Sequence, residues 1–342
     1  MSASLAAERR RRMLITALGS DIALAMSDPL VVEVMVNPDG ALRLERLGEG
    51  CIDTQVRIDP EQVERIIRLV ASHVHAEVNG EHPIVSAELP PHVEGHAGER
   101  FEGVLPPVAP APCFSIRKPA QRLHTLDDYV AGGLMSETVA QALRAAVTQR
   151  DNILVAGGTS SGKTTLANAL LAEMAGQDAR VILIEDTREL QCPLPDTVAL
   201  RTRPPHVTMT DLVRSTMRLR PDRIVVGEVR GPEALDMLKA WNTGHPGGIA
   251  TIHANSAAAA LARVEQLVLE AVVTVPRELI AEAIDLVVFI SGRGMDRRIS
   301  TVARLAGLDP RTGSYALTDI VRPKLTERLA PINAATSTSK ET

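Results

Sequence analysis

Rings are the scarcest feature of this chain. Aromatic residues make up 2% of its 342 positions, namely Phe101, Phe114, Phe289, Tyr129, Tyr315 and Trp241. The core must therefore be aliphatic, and there is little from which to build platforms that stack bases or sugars. Cysteine is scarce as well. Cys51, Cys113 and Cys192 are odd in number, widely spaced and without a C-x-x-C pair. That excludes a disulfide framework and a zinc-thiolate motif, and it fits a reducing, cytoplasmic setting. No apolar run approaches the ~20 residues of a membrane span, and Leu286–Ile290 is far too short. Positive charge is not in surplus either: the formal net charge is −5, which argues against direct nucleic-acid binding through a basic surface.

What is present is ordinary globular composition, 45% hydrophobic and 23% charged, over a length that suits about two domains. Arg9–Arg12 precede the apolar stretch Met13–Gly19, and Ala23-Leu24-Ala25 looks like a small-residue cleavage site. Asp21 interrupts this signal-peptide pattern, so residues 1–28 are expected to form an N-terminal amphipathic helix with a basic end. Such an end either touches an anionic membrane surface or is simply solvated. Residues 29–120 read as an α+β domain. Val31–Met35 and Leu42–Arg46 flank the turn residues Asn37-Pro38-Asp39-Gly40, Asp59-Pro60 opens a helix, and proline-broken strands fill 83–118. From 121 to 330 helices alternate with the apolar runs Ile153–Ala156, Val181–Ile184, Ile224–Val226 and Ile249–Ile252. That alternation predicts a parallel sheet covered on both faces. Residues 297–320 read as short strands, and 331–342 as a disordered polar tail. His73, His75, His82, His92 and His96 cluster in sequence, but the one i, i+4 pair, His92 and His96, falls in a Pro/Gly loop rather than on a helix, which argues against a metal site.

The chemistry is concentrated in four segments. Gly157-Gly158-Thr159-Ser160-Ser161-Gly162-Lys163-Thr164 fits G-x-x-x-x-G-K-[ST] and lies between an expected strand, 152–156, and an expected helix. Glycines let the backbone N–H groups curl around phosphate, and the helix N-terminus adds partial positive charge. Gly158 through Thr165 are therefore the expected nucleotide cradle. Lys163 would reach the β/γ-phosphates of ATP, and the Thr164 hydroxyl would ligate Mg²⁺. Two further runs end in carboxylates, at Glu185-Asp186 and at Glu228. In a parallel sheet these fall at the carboxyl edge, beside the loop. The expected assignment has Glu228 polarising water, with Glu185 and Asp186 supporting the metal and the water network. His253 ends a fourth run at the same edge and is placed to sense the γ-phosphate, while His245 sits in the glycine-rich loop before that run.

Taken together, these blocks resemble the secretion traffic ATPases of type II and type IV systems, nearest their conjugal-transfer branch. The matching segments are Walker A (157–164), "IEDTREL" (184–190), "RPDRIVVGEVRG" (220–231) and "NTGHPGGIATIHANS" (242–256). Upstream, "VEVMVNPDG" (32–40), "VSAELPP" (85–91) and "FSIRKP" (114–119) resemble that family's N-terminal domain. The tetracysteine insert of the type II branch is missing. The resemblance implies an α/β fold, with a RecA-like P-loop ATPase domain under a smaller, mobile α+β N-terminal domain. It also implies a homo-hexameric ring, ATP and Mg²⁺ at the domain cleft, and type IV secretion apparatus proteins as partners. N-terminal arginines reach the phosphates in that family, and the matching positions are Arg117 and, as a weaker match, Arg100. Arg218, Arg220, Arg223 and Arg230 flank the second acidic run, and one of them is expected to serve a neighbouring subunit. The expected function is an ATP-hydrolysing motor of conjugative secretion. The alternatives are a RecA-type DNA translocase or helicase, and an assembly scaffold locked by nucleotide.

Overall fold

The computed structural model describes residues 2–90, 98–119 and 123–320. His92, His96 and the tail at 331–342 lie outside the described residues. Short polar side chains cap several helix starts: Asp59, Thr125, Ser136, Thr208 and Ser256 each accept from a first-turn amide. In the N-terminal part, α1 (Ser2–Ser27) is followed by β1 (Val31–Val36), β2 (Ala41–Arg46), β3 (Gly50–Arg57), α2 (Pro60–Val74), β4 (Ile84–Glu88), β5 (Arg100–Val104) and β6 (Cys113–Arg117). α1 is broken at Gly19, whose φ of 78° is not helical. Gln62 Nε2 of α2 donates to Ala17 O there, at 3.1 Å. α2 starts where Asp59 accepts from the Glu61 amide, with Pro60 in the first turn.

The strands form an antiparallel sheet in the order β3-β2-β1-β6-β5-β4. Period-two alternation divides its faces. Val34, Val36, Phe101, Phe114 and Ile116 pack against Ile22, Ile66, Ile67 and Val70 of α1 and α2. The opposite face carries Glu33, Ser86, Arg100, Glu102, Ser115 and Arg117 around a cavity of about 370 Å³. His75 is the left-handed cap that ends α2, and no group of three or more metal-ligating side chains occurs among the described residues.

The second part runs α3 (Leu126–Ala131), α4 (Glu137–Gln149), β7 (Ile153–Gly157), α5 (Lys163–Ala172), β8 (Val181–Glu185), β9 (Thr197–Arg201), α6 (Met209–Thr216), β10 (Arg223–Val226), α7 (Glu233–Asn242), β11 (Ile249–His253), α8 (Ala257–Leu269), α9 (Arg277–Ala283), β12 (Leu286–Ser291), a short 3₁₀ turn, β13 (Arg298–Leu308) and β14 (Tyr315–Asp319). The sheet order is β14-β13-β12-β7-β11-β10-β8-β9. Strands β12 to β9 are parallel, and β13 and β14 join antiparallel at one edge. Leu154 and Ala156 face α6 to α9, while Ile153 and Val155 face α3 to α5, so the central strands β7, β8 and β10 are buried on both sides.

Three sequence expectations need correction. The strand before the glycine loop is 153–157, not 152–156. The run Leu286–Ile290, read only as too short for a membrane, is a central strand beside β7. Residues 297–320 hold one 11-residue strand and a partner rather than several short ones. Among the described residues no helix is long and apolar enough to cross a membrane.

Candidate active site

The parallel register brings the carboxyl ends of β7, β8, β10 and β11 to one edge: Gly157 stands opposite His253, and Val226 opposite Ile184. The loop between β7 and α5 is shaped by what it cannot accommodate. A Cβ on Gly157 would stand 2.5 Å from Ser161 Oγ and 2.9 Å from Ile290 O, so a larger residue forces the turn apart. Ser160 and Gly162 take left-handed backbone conformations, with φ of 59° and 92°. Gly162 is the N-cap of α5 and offers no side-chain cap, which leaves the first-turn amides for an anion. Ser161 is buried, and its Oγ has no hydrogen-bond partner.

Lys163 is 7% exposed. Its Nζ lies 3.3 Å from Gly158 O and 3.4 Å from each ring nitrogen of His253. Burial lowers the Lys163 pKa and Glu228 opposes that shift, while the charges of Arg230 and Arg117 add to it. His253 Nε2 is 2.7 Å from Glu228 Oε1. The contact is close but out of line for a full hydrogen bond, and Oε1 is buried without an aligned donor. Burial, followed by the Lys163 charge, holds the His253 pKa below its ordinary 6.5, so the ring is neutral at pH 7. Arg230 Nε donates to Glu228 Oε2 at 2.9 Å, and its Nη2 contacts the same oxygen. Lys163, His253, Glu228 and Arg230 thus form one continuous chain of contacts.

Glu185 and Asp186 are placed differently. The Glu185 side chain is buried, and its Oε1 accepts from the amides of Glu189 (2.9 Å) and Leu190 (2.8 Å). Burial raises its pKa to about 7 against the lowering effect of those two bonds. Its carboxylate therefore shapes the 186–190 turn as well as facing the strand edge. Asp186 Oδ1 accepts from Thr202 Oγ1 at 2.9 Å, and Oδ2 lies 3.9 Å from Arg230 Nη1. The expected convergence of three carboxylates resolves into Glu228 beside Lys163, with the other two anchored to neighbouring loops.

Arg117 and Arg100 are paired across β6 and β5 on the polar face of the N-terminal sheet. Arg117 is exposed, and its charge acts on Lys163. Glu88, at the end of β4, pairs with Arg201, at the end of β9, and ties the two sheets together. Of the four arginines flanking the second acidic run, Arg223 is withdrawn from any role between subunits. It is 1% exposed at the opposite sheet edge, where its guanidinium donates to Val147 O, Gly247 O and Gln177 Oε1. His245 lies at that far edge too, and burial lowers its pKa. Arg297, in the turn after β12, is a residue the sequence motifs do not mark: its Nη2 donates to Ser160 O at 3.4 Å.

The donor set suits a nucleoside triphosphate and a hard divalent cation. Ser161 Oγ is an unpartnered buried hydroxyl within the loop, and Glu228 Oε1 is a buried carboxylate oxygen with accepting capacity left. Thr164 and Thr165, half-buried, add two hydroxyls to the first turn of α5. Mg²⁺ takes a few side-chain oxygens and completes its shell with phosphates and water.

The family model for type II/IV secretion system proteins matches residues 22–296. The chain belongs to that family. It is 49% identical over 298 residues to the conjugal transfer protein TrbB of Rhizobium radiobacter, covering 86% of this chain and 90% of that one. It is 32% identical over 316 residues to the type IV secretion system protein PtlH of Bordetella pertussis, covering 81% and 91%. The structure of the Legionella pneumophila ATPase DotB superposes with a TM-score of 0.57 at 19% identity, over 79% of this chain and 75% of that one. At that identity the likeness is one of fold, a RecA-like domain with an N-terminal domain before it.

Proposed function

We propose that the protein is a Mg²⁺-dependent, ATP-hydrolysing hexameric motor of a conjugative type IV secretion apparatus, working in the cytoplasm and on the inner face of the inner membrane. The observation that carries the reading is the Lys163–His253–Glu228 chain at the mouth of a glycine loop. Lys163 and the α5 amides bind the β- and γ-phosphates. Glu228 Oε1 accepts the proton of the attacking water, and neutral His253 orients that carboxylate while reporting on the γ-phosphate. Thr164 would hold the cation, with Asp186 and Glu185 supporting its hydration. Bound Mg²⁺ would neutralise charge on the phosphate oxygens. Arg117 and Arg100 close from the N-terminal sheet as bidentate donors. Loss of the γ-phosphate then releases them, and the N-terminal domain moves.

The name of the 49% identical relative supports conjugal transfer as the setting, and that of the 32% identical relative supports type IV secretion. Partners would be the apparatus proteins. The small number of rings and the net charge of −5 favour this over a DNA translocase. Conjugation assays in a strain lacking the chromosomal or plasmid copy test it. Wild type should restore transfer, whereas Lys163→Ala should assemble a ring of the same mass and fail to restore it. Restoration by Lys163→Ala would mean a scaffold, and ATPase stimulation by single-stranded DNA would mean a translocase.

A further inference from the structure

The topology gives the glycine loop two sides. β11, β10 and β8, with His253, Glu228 and Glu185, extend from one side of β7, and β12 lies on the other. A nucleotide whose terminal phosphate faces Lys163 and Glu228 must lead its nucleoside end away from them, past the β12 side. The turn that follows β12 places Arg297 there. Its guanidinium lies against the backbone of Gly162: a Cβ built on that glycine would meet Arg297 Nη1 at 2.9 Å and Cζ at 3.0 Å. Its Nη2 donates to Ser160 O at 3.4 Å, a long and weak bond, and its Nε is buried with no hydrogen-bond partner. The Tyr129 hydroxyl is buried nearby without a partner, and the Arg297 charge acts on it. The turn is fixed rather than loose, since Ile299 N donates to Leu134 O at 2.8 Å and fastens the start of β13 to the segment between α3 and α4.

A guanidinium with unused donors, laid across the amide-rich start of a helix, is built for an anion. The Tyr129 ring, 2% exposed, has no face left on which a base could stack. We propose that Arg297 is the residue that positions the α-phosphate and ribose end of the nucleotide, a recognition by charge and hydrogen bonds where the chain offers few rings. Rotation of its aliphatic stem carries the guanidinium from Ser160 O to an α-phosphate oxygen. This rests on the glycine-loop reading above.

The test uses full-length protein and calorimetric titration with MgADP, MgATP and pyrophosphate, together with steady-state phosphate release. Arg297→Ala should weaken ADP and ATP by about 10- to 100-fold, the value of a charge-assisted hydrogen bond. KM should rise accordingly, while kcat and pyrophosphate affinity stay within about threefold of wild type, because the Lys163 end is untouched. Arg297→Lys should recover part of the ADP affinity. The melting midpoint without nucleotide should not change, since the side chain holds one weak contact to Ser160. ADP affinity and KM unchanged in Arg297→Ala would overturn the proposal, as would tighter ADP binding or an equal loss for pyrophosphate. If Lys163→Ala binds ADP as wild type does, the glycine-loop reading itself has failed, and the Arg297 assignment falls with it.

Discussion

Glu228→Gln is the substitution that separates the two glutamates, Glu185 at the end of β8 and Glu228 two residues past β10. The change is isosteric, so the amide oxygen can keep the Arg230 Nε bond, 2.9 Å in the wild type. What is lost is a base beside the His253 Nε2 contact at 2.7 Å. A positioned general base is worth about 10²–10⁴ in rate, so the barrier should rise by about 3–5 kcal/mol, at 1.36 kcal/mol per tenfold. Nucleotide affinity should not weaken by more than about threefold, because the phosphate cradle is intact and one negative charge near the triphosphate is gone. Glu185→Gln should cost less than about tenfold in kcat, since its amide oxygen still accepts from the Glu189 and Leu190 amides. Steady-state phosphate release and ADP titration on both variants decide the matter. Near-wild-type turnover by Glu228→Gln would refute the assignment, as would a deeper loss in Glu185→Gln than in Glu228→Gln.

Other outcomes follow from the packing. Arg223→Met orphans Val147 O, Gly247 O and Gln177 Oε1, each bonded to the guanidinium in the wild type. It should therefore lower stability by roughly 3 kcal/mol in urea unfolding, despite relieving a buried charge. Gly157→Ala forces Ser161 and Ile290 apart and should cost about 1–3 kcal/mol together with nucleotide binding, read by melting with and without ADP. His245 has its pKa lowered by burial. Its contribution to stability is thus full above the unfolded value of 6.5 and is lost as the pH falls from there through the folded pKa. Melting midpoints of His245→Gln between pH 5 and 8 should fall less on acidification than those of wild type.

The parts of this fold that are legible in sequence are those where local chemistry has one solution. The glycine loop needs positive φ at Gly162 and a missing Cβ at Gly157, and β7, β8, β10 and β11 are continuous apolar runs because helices bury both faces. Less legible are the elements whose pattern depends on distant partners. β9 is a half-exposed edge strand whose apolar run is only Val198-Ala199-Leu200, and β12 is identifiable only once it lies beside β7. Glu185 and Glu228 are alike in sequence, each ending a strand. They differ because one carboxylate folds onto the amides of its own turn and the other meets Arg230 and His253. Arg297 carries no motif at all: its place over Gly162 comes from the register of β12 against β7.

Phosphate release by wild type and Lys163→Ala, each with MgATP and again with the cation chelated, tests the central claim most directly. Turnover by wild type with Mg²⁺, abolished by chelation and by Lys163→Ala while ring mass is kept, is the result expected. It follows from a buried lysine that stands 3.3 Å from Gly158 O beside His253. Equal turnover by the two proteins would contradict the claim, and so would a wild type that releases no phosphate from MgATP even with apparatus partners or anionic vesicles present.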